Sequence, residues 1–165
     1  MIRPGNHMPA AQVKLVTVEG VSDTTSDLVC AGPRTVMFTL PGAFTPTCSN
    51  NHLPGYQINA GRLREAGVAK IICATWNDHH VVRAWAESTG ALPVIDFVAD
   101  GNGELAKALG LERDMRDSGM GMRYRRAALI IENGSVTYAA AETESGVVTV
   151  SGAEAVLNLL QPVVA

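Results

Sequence analysis

Four short apolar runs constrain this chain more than any other feature: residues 36–40 (VMFTL), 70–75 (KIICAT), 95–99 (IDFVA) and 127–131 (AALII). Each is shorter than the roughly 10–12 residues that mark a buried helix, and Gly, Pro, Asn or Asp follows most of them. Such runs read as strands buried inside a sheet. Residues 13–18 (VKLVTV) alternate like a half-buried strand. Residues 135–139 (SVTYA) form a partner to 127–131, joined through Glu132-Asn133-Gly134. Asn-Gly between two apolar runs is the strongest short hairpin signal.

Helical segments lie between these runs. From about Cys48 to Ala66, the residues Leu53, Tyr56 and Leu63 share one face, and Gly67 supplies a C-cap. Pro54-Gly55 interrupts this segment, which predicts a kink or a broken first turn. Asn77 or Asp78 caps a helix running to about Glu87. Glu104–Leu109 reads as a short helix ended by Gly110, and Ala153–Leu160 as a final amphipathic helix. The order β-α-β-α-β-α-β-β-α implies an α/β fold: a central sheet, helices on both faces and an antiparallel hairpin near the C-terminal end. No linker or repeat divides the chain, so residues 1–165 read as one domain.

Composition narrows the function. Hydrophobic residues make up 47% and charged residues 18%, which favours a packed core over disorder. A net charge of −3 argues against gripping nucleic acid or an anionic membrane through general electrostatics. No run approaches the roughly 20 apolar residues of a membrane helix. The segment MIRPGNHMPAAQ has no apolar stretch of export type, so the expected location is cytoplasmic. Cys30, Cys48 and Cys73 are odd in number and form no CxxC pair. That is neither a disulfide framework nor a zinc knuckle. Each cysteine is then a small buried hydrophobe or a reagent.

Position singles out Cys48. It ends the stretch Pro41-Gly-Ala-Phe-Thr-Pro-Thr-Cys48, between a buried strand and a helix. Ligand sites of open α/β sheets gather at the carboxyl ends of strands. In the first turn of the helix, unpaired N–H groups and the helix dipole favour an anion, here a thiolate. Thr45 lies three residues earlier, where its hydroxyl can bond the sulfur or a bound substrate. Pro41 and Pro46 stiffen the loop and limit water access. An arginine from elsewhere would complete the site, with Arg123, Arg125 and Arg126 as the sources.

The pattern Pro41-x-x-x-Thr45-x-x-Cys48 resembles the active-site motif of peroxiredoxins. The longer string PGAFTPTCSNNHLPGY, from Pro41 to Tyr56, is similar to the type II, or peroxiredoxin-five-like, members. The resemblance continues through Asn77-Asp78, Trp85, Val98-Ala99-Asp100 and Tyr124-Arg125-Arg126, and spans roughly residues 36–160. It implies a thioredoxin-like three-layer fold and a peroxidase that reduces hydrogen peroxide and organic hydroperoxides without metal or organic cofactor. Cys48 matches the peroxidatic cysteine, which becomes a sulfenic acid. Thr45 matches the threonine that bonds thiolate and peroxide, and Pro41 the proline that shields the pocket. Arg126 matches the arginine that lowers the cysteine pKa and stabilises the polarised O–O bond. It is preferred over Arg123 and Arg125 because it directly precedes the strand at 127. Tyr124 is expected beside the pocket. The implied partners are a peroxide, a thiol reductant and a second copy of the chain, paired through the active-site edge.

One departure matters. Some type II members carry a resolving cysteine late in the chain, where this sequence has Val147-Val-Thr-Val-Ser151. A one-cysteine cycle fits better, with recycling by glutathione, glutaredoxin or thioredoxin. Cys73 reads as buried, and Cys30 as structural with a resolving role as its alternative. Cys48 and His52 could also form a metal pair or a thiol–base dyad at i,i+4, but no third ligand accompanies them. A cysteine hydrolase would need a placed base and orienter. A peroxide sensor would use the same thiol but stall after one equivalent. His79-His80 reads as solvent-facing, and the arginines from 113 to 125 as a solvated face. Met115, Met120 and Met122 read as pocket or interface packing.

Overall fold

The computed structural model describes residues 1–160; the last five positions of the expected domain, 161–165, lie outside the described residues. Strands β1 (Gln12–Thr17), β2 (Gly20–Thr25), β3 (Thr35–Leu40), β4 (Lys70–Thr75), β5 (Asp96–Ala99), β8 (Ala127–Glu132) and β9 (Ser135–Ala141) form one mixed sheet. Its spatial order is β2-β1-β5-β4-β3-β8-β9. Two further short strands, β6 (Glu112–Asp114) and β7 (Met122–Tyr124), pair as a separate hairpin. The helices are α1 (Ser26–Val29), α2 (Leu53–Glu65), α3 (His79–Thr89), α4 (Glu104–Leu109) and α5 (Ala153–Leu160).

The sheet divides the core in two. Val36, Phe38 and Leu40 of β3 turn to one side, where Leu53, Tyr56 and Leu63 of α2, Trp85 of α3 and Val156 of α5 cover them. Met37 turns the other way, against Val29 of α1 and Leu105 and Leu109 of α4. Period-two alternation along a strand produces this split, and β3 is buried at all six positions as its unbroken apolar run requires. Phe38 stacks on Tyr56 with ring centroids 4.0 Å apart. Trp85 meets Phe97 edge-on at 5.8 Å, and its indole N–H donates to Ser49 Oγ at 3.0 Å. A buried Trp needs such a partner, and this one ties α3 to the residue after Cys48.

Local signals place most boundaries. Asp78, not Asn77, caps α3: its Oδ1 accepts from His80 N–H at 2.9 Å and Val81 N–H at 3.1 Å. Asn133 and Gly134 have φ of 51° and 81°, the left-handed pair a two-residue hairpin turn demands. The segment expected as one interrupted helix from Cys48 divides in two. Cys48–His52 forms a π-helical turn, with Leu53 N–H bonded to the Cys48 carbonyl, and α2 begins after it. Pro54 falls in the first turn of α2, where its missing N–H is harmless, so it starts the helix instead of kinking it.

No helix among the described residues is long and apolar enough to cross a membrane.

Candidate active site

Register places the site. Strands β3 and β4 run parallel, so Leu40 and Thr75 end at the same rim of the sheet. β8 runs antiparallel to β3 with Ala127 opposite Thr39, which puts Arg126 at that rim too. Ala141 of β9 lies opposite Ala127, so Glu142 follows beside Arg126, and the Glu142 N–H donates to the Arg126 carbonyl at 2.7 Å. Residues far apart in sequence therefore meet at one rim shared by four strands, β3, β4, β8 and β9.

The loop from Pro41 to Thr47 is held at its base by Asn77. Its Oδ1 accepts from Ala43 N–H at 3.0 Å and from the Thr75 hydroxyl at 2.6 Å. Gly42 is closely packed: a Cβ there would stand 3.0 Å from Arg123 Nη1 and 3.3 Å from Thr45 Cγ2, so both side chains would have to shift. Phe44 adopts φ of 62°, a conformation rare for side chains of its size, and is 56% exposed. Thr45 donates its hydroxyl proton to the Gly42 carbonyl at 2.7 Å, so that proton is directed into the loop and not at sulfur. Pro41, Thr45, Pro46, Met115, Met120 and Arg126 line a cavity of about 140 Å³.

Cys48 is fully buried in the first turn of the π-helical segment. The Arg126 guanidinium, 2% exposed, reaches it from the opposite strand. Its Nη2 donates to Cys48 Sγ at 3.2 Å, its Nη1 to His52 Nδ1 at 2.9 Å and its Nε to the Ser145 carbonyl at 2.9 Å. Among the described residues no carboxylate lies within ion-pair distance of it. A buried cation without a carboxylate is strongly destabilised unless an anion or aligned dipoles compensate it, and the sulfur is the one partner here able to become an anion.

His52 fixes the fork. Its Nδ1 accepts from Arg126, so its Nε2 carries the proton and donates to the Ser151 carbonyl at 2.9 Å. Burial holds the imidazole neutral, pushing its pKa down to about 3, and the nearby Arg126 charge adds to the depression. The Tyr56 hydroxyl donates to the same Ser151 carbonyl at 2.7 Å. No three His, Cys, Asp or Glu side chains converge to hold a metal among the described residues.

Of the expected site residues, Pro41, Thr45 and Arg126 line one cavity and Arg126 also bonds the Cys48 thiol, while the Thr45 hydroxyl, expected on sulfur, donates to the Gly42 carbonyl instead. Arg126 is the arginine on sulfur. Arg123 instead donates to the Met120 carbonyl and Arg125 to the Glu142 carbonyl, at 2.8 and 3.4 Å. Tyr124 is a correction. It lies in the core on the other side of the sheet, where its hydroxyl donates to Asp100 Oδ2 at 2.8 Å. Asp100 also caps the start of α4 through Leu105 and Ala106 N–H groups, so a buried acceptor draws Tyr124 away from the pocket. Cys30, read as structural with a resolving role as its alternative, is fully buried on the same far side. Burial pushes its thiol up to about 12. Cys73 shares the near side with Cys48, and complete burial likewise raises its thiol well above the ordinary range. The two residues sequence reasoning did not assign are His52, visible only as the i+4 neighbour of Cys48, and Glu142, which no motif marks.

A mixed sheet of this topology, with a buried thiol facing a buried guanidinium at its strand ends, defines a thiol oxidoreductase of thioredoxin-like fold. A family model described as Redoxin matches residues 3–157. The chain is 47% identical over 132 residues to peroxiredoxin-2C of Oryza sativa subsp. japonica, covering 80% of this chain and 81% of that protein. Peroxiredoxin-2C of Arabidopsis thaliana is 45% identical over 132 residues, with the same coverage of 80% and 81%. The crystal structure of reduced Prx3 from Vibrio vulnificus in complex with hydrogen peroxide matches with a TM-score of 0.88 at 40% identity, covering 98% of this chain and 100% of that one. The chain belongs to the peroxiredoxin family, and its activity is thiol-dependent reduction of peroxide.

Proposed function

We propose that Cys48 is the peroxidatic nucleophile and that the chain works by a one-cysteine cycle. The Cys48 thiolate attacks one oxygen of a hydroperoxide. The S–O bond forms as the O–O bond breaks, the departing oxygen leaves with the electron pair as hydroxide or alkoxide and takes up a proton, and Cys48 is left as a sulfenic acid. An external thiol then condenses with the sulfenic acid, releasing water and forming a mixed disulfide. A second thiol resolves that disulfide, which returns Cys48 to the thiol and oxidises the reductant.

The observation that carries this reading is the Arg126–Cys48 contact of 3.2 Å, made by a buried guanidinium with no carboxylate of its own among the described residues. The same guanidinium lines the cavity where a peroxide would sit. Pre-aimed donors at the point where charge develops are the largest catalytic contribution of such sites. Thr45 orients the peroxide and Pro41 screens the thiol from water. Met115 and Met120 give the cavity an apolar wall suited to organic hydroperoxides. The hydrogen peroxide complex of the Vibrio vulnificus relative supports the small end of that range.

The reductant we assign is glutathione with glutaredoxin, or thioredoxin, because Cys30 lies across the sheet from Cys48. The proposal includes a homodimer through the active-site edge, where Phe44 and Met122 stand exposed, and a cytoplasmic setting that keeps thiols reduced.

The test is the intact mass of reduced protein after one equivalent of hydrogen peroxide, with and without dimedone. A dimedone adduct on Cys48, absent in Cys48→Ser, supports the cycle. Loss of two hydrogens with no trapped adduct would mean an internal disulfide and overturn it.

A further inference from the structure

Glu142 is 3% exposed, yet among the described residues its carboxylate makes no ion pair. Its carboxylate instead receives four donors from one stretch of chain. Oε2 accepts from Thr149 N–H at 2.8 Å, Ser151 N–H at 2.8 Å and the Ser151 hydroxyl at 2.6 Å. Oε1 accepts from the Thr149 hydroxyl at 2.6 Å. Burial alone would raise this carboxyl, but the hydrogen bonds from Ser151 and Thr149 outweigh it and hold it below its ordinary value. One side chain thereby closes the loop 143–151 on itself.

That loop supplies two of the carbonyls that organise the active site. Ser145 O accepts from Arg126 Nε at 2.9 Å. Ser151 O accepts from His52 Nε2 at 2.9 Å, which leaves His52 Nδ1 as an acceptor for Arg126 Nη1. The planar fork of an arginine has fixed geometry, so setting two of its nitrogens sets the third. The third is Nη2, on Cys48 Sγ. The Glu142 N–H also bonds the Arg126 carbonyl at 2.7 Å, so the pin is anchored to the residue it serves.

We propose that Glu142 is a positioning residue of the peroxidase reaction: by pinning loop 143–151 it holds the Ser145 and Ser151 carbonyls where they aim the Arg126 guanidinium at Cys48. This rests on the role proposed above for Arg126. Glu142 is not itself a lining residue of the cavity, its carboxylate bonds only Thr149 and Ser151, and its effect passes through the loop. Geometry, not charge, is what it provides. A glutamine carbonyl in place of Oε2 still accepts the three donors from Thr149 N and Ser151, while its amide can donate to the Thr149 hydroxyl oxygen.

The experiment is a double-mutant cycle read as kcat/KM for hydrogen peroxide with excess thiol reductant, with circular dichroism melts alongside. Glu142→Ala is expected to lose about tenfold and Glu142→Gln less than about threefold. In an Arg126→Met background, Glu142→Ala is expected to lose less than about twofold, because the guanidinium it aims is gone. Should Glu142→Ala fail to fold, Thr149→Val removes only the hydroxyl bond to Oε1 and is read through the same cycle, with a loss of about threefold in the native background alone. Equal losses in both backgrounds, a wild-type rate for Glu142→Ala, or a Gln variant as impaired as Ala would each overturn the proposal. A wild-type rate for Arg126→Met would overturn the site reading itself and the positioning role with it, whereas an Arg126 effect additive with Glu142 overturns the positioning role alone.

Discussion

Replacing Arg126 by methionine separates what this side chain does for folding from what it does for chemistry. Two effects oppose each other in stability. Arg126 is 2% exposed and lacks a carboxylate among the described residues, so removing its charge relieves a desolvation penalty of several kcal/mol. It also strands His52 Nδ1 and the Ser145 carbonyl, each at about 1–3 kcal/mol. These roughly cancel, and the melting temperature is expected to move by no more than about 5 °C. In the reaction nothing cancels. A unit positive charge 3.2 Å from a thiolate attracts it by roughly 5 kcal/mol at an effective dielectric constant near 20, before solvation takes its share. The net worth of a hydrogen bond to a charged group is about 1.5–3 kcal/mol. At 1.36 kcal/mol per decade, that is a loss of about 10- to 150-fold at neutral pH. The assay is single-turnover peroxide reduction together with alkylation of Cys48 by iodoacetamide, each against a melt of the same sample. Both rates within about threefold of the parent, at an unchanged melting temperature, would refute the electrostatic argument.

Three further outcomes follow from the same contacts. Thr45→Val removes the hydroxyl that bonds the Gly42 carbonyl at 2.7 Å; it is expected to slow peroxide reduction about tenfold at a stability change near 1 kcal/mol, and a parental rate would show the hydroxyl idle. Cys30→Ala is expected to leave turnover unchanged, since its thiol is buried across the sheet; lost turnover would make it a resolving cysteine. Acid should destabilise the fold through His52, whose native pKa of about 3 lies below the value near 6.5 of an unfolded chain. The unfolded state therefore binds the extra proton, and stability falls as pH drops from about 6.5 towards 3, by up to roughly 4 kcal/mol from this group. Glu142, depressed in the fold, withdraws its own contribution as pH falls below the ordinary carboxylate range. Urea midpoints across that interval test this, and a His52→Asn variant with an unaltered slope would refute it.

The parts of this molecule that were readable in sequence are those where one strong signal acts locally. The apolar runs gave β3, β4, β5 and β8 within a residue or two, because the interiors of strands buried on both faces exclude charge. The hairpin at Asn133-Gly134 followed from the left-handed backbone only such residues adopt easily. Edge elements were missed. Strand β2, with the sequence GVSDTT, is largely exposed and carries no apolar period, and it exists because β1 offers it a ladder. The β6–β7 hairpin is as polar, and its role is to bring Met115 and Met120 over the cavity. Arg126 could be chosen from three candidates because it directly precedes the strand at 127, as in the pattern of the family the sequence resembles, and the register puts that residue at the sheet rim. Tyr124 misled for the reverse reason: which face a residue takes between two strands depends on a partner, here Asp100, that sequence spacing does not reveal. Sequence left Cys30 between a structural and a resolving role, because its distance from Cys48 depends on which side of the sheet it takes, and the fold puts it opposite Cys48. The His52–Ser151–Glu142 network includes a bond between residues 99 positions apart, beyond the reach of any local pattern.

The sheet also acts as a wall between reagents. Cys48 lies on one side and Cys30 on the other, while Cys73 is locked in a central strand whose ladders with β3 and β5 would have to open. On the one-cysteine cycle proposed above, an oxidised Cys48 returns to its starting state when a second molecule arrives, and its dwell time varies inversely with the concentration of that molecule. A further peroxide competes for the same sulfur and drives it to the sulfinic acid. The branching between restoration and permanent loss is thus set by the ratio of reductant to peroxide around the protein, and each inactivated chain records one moment when that ratio fell.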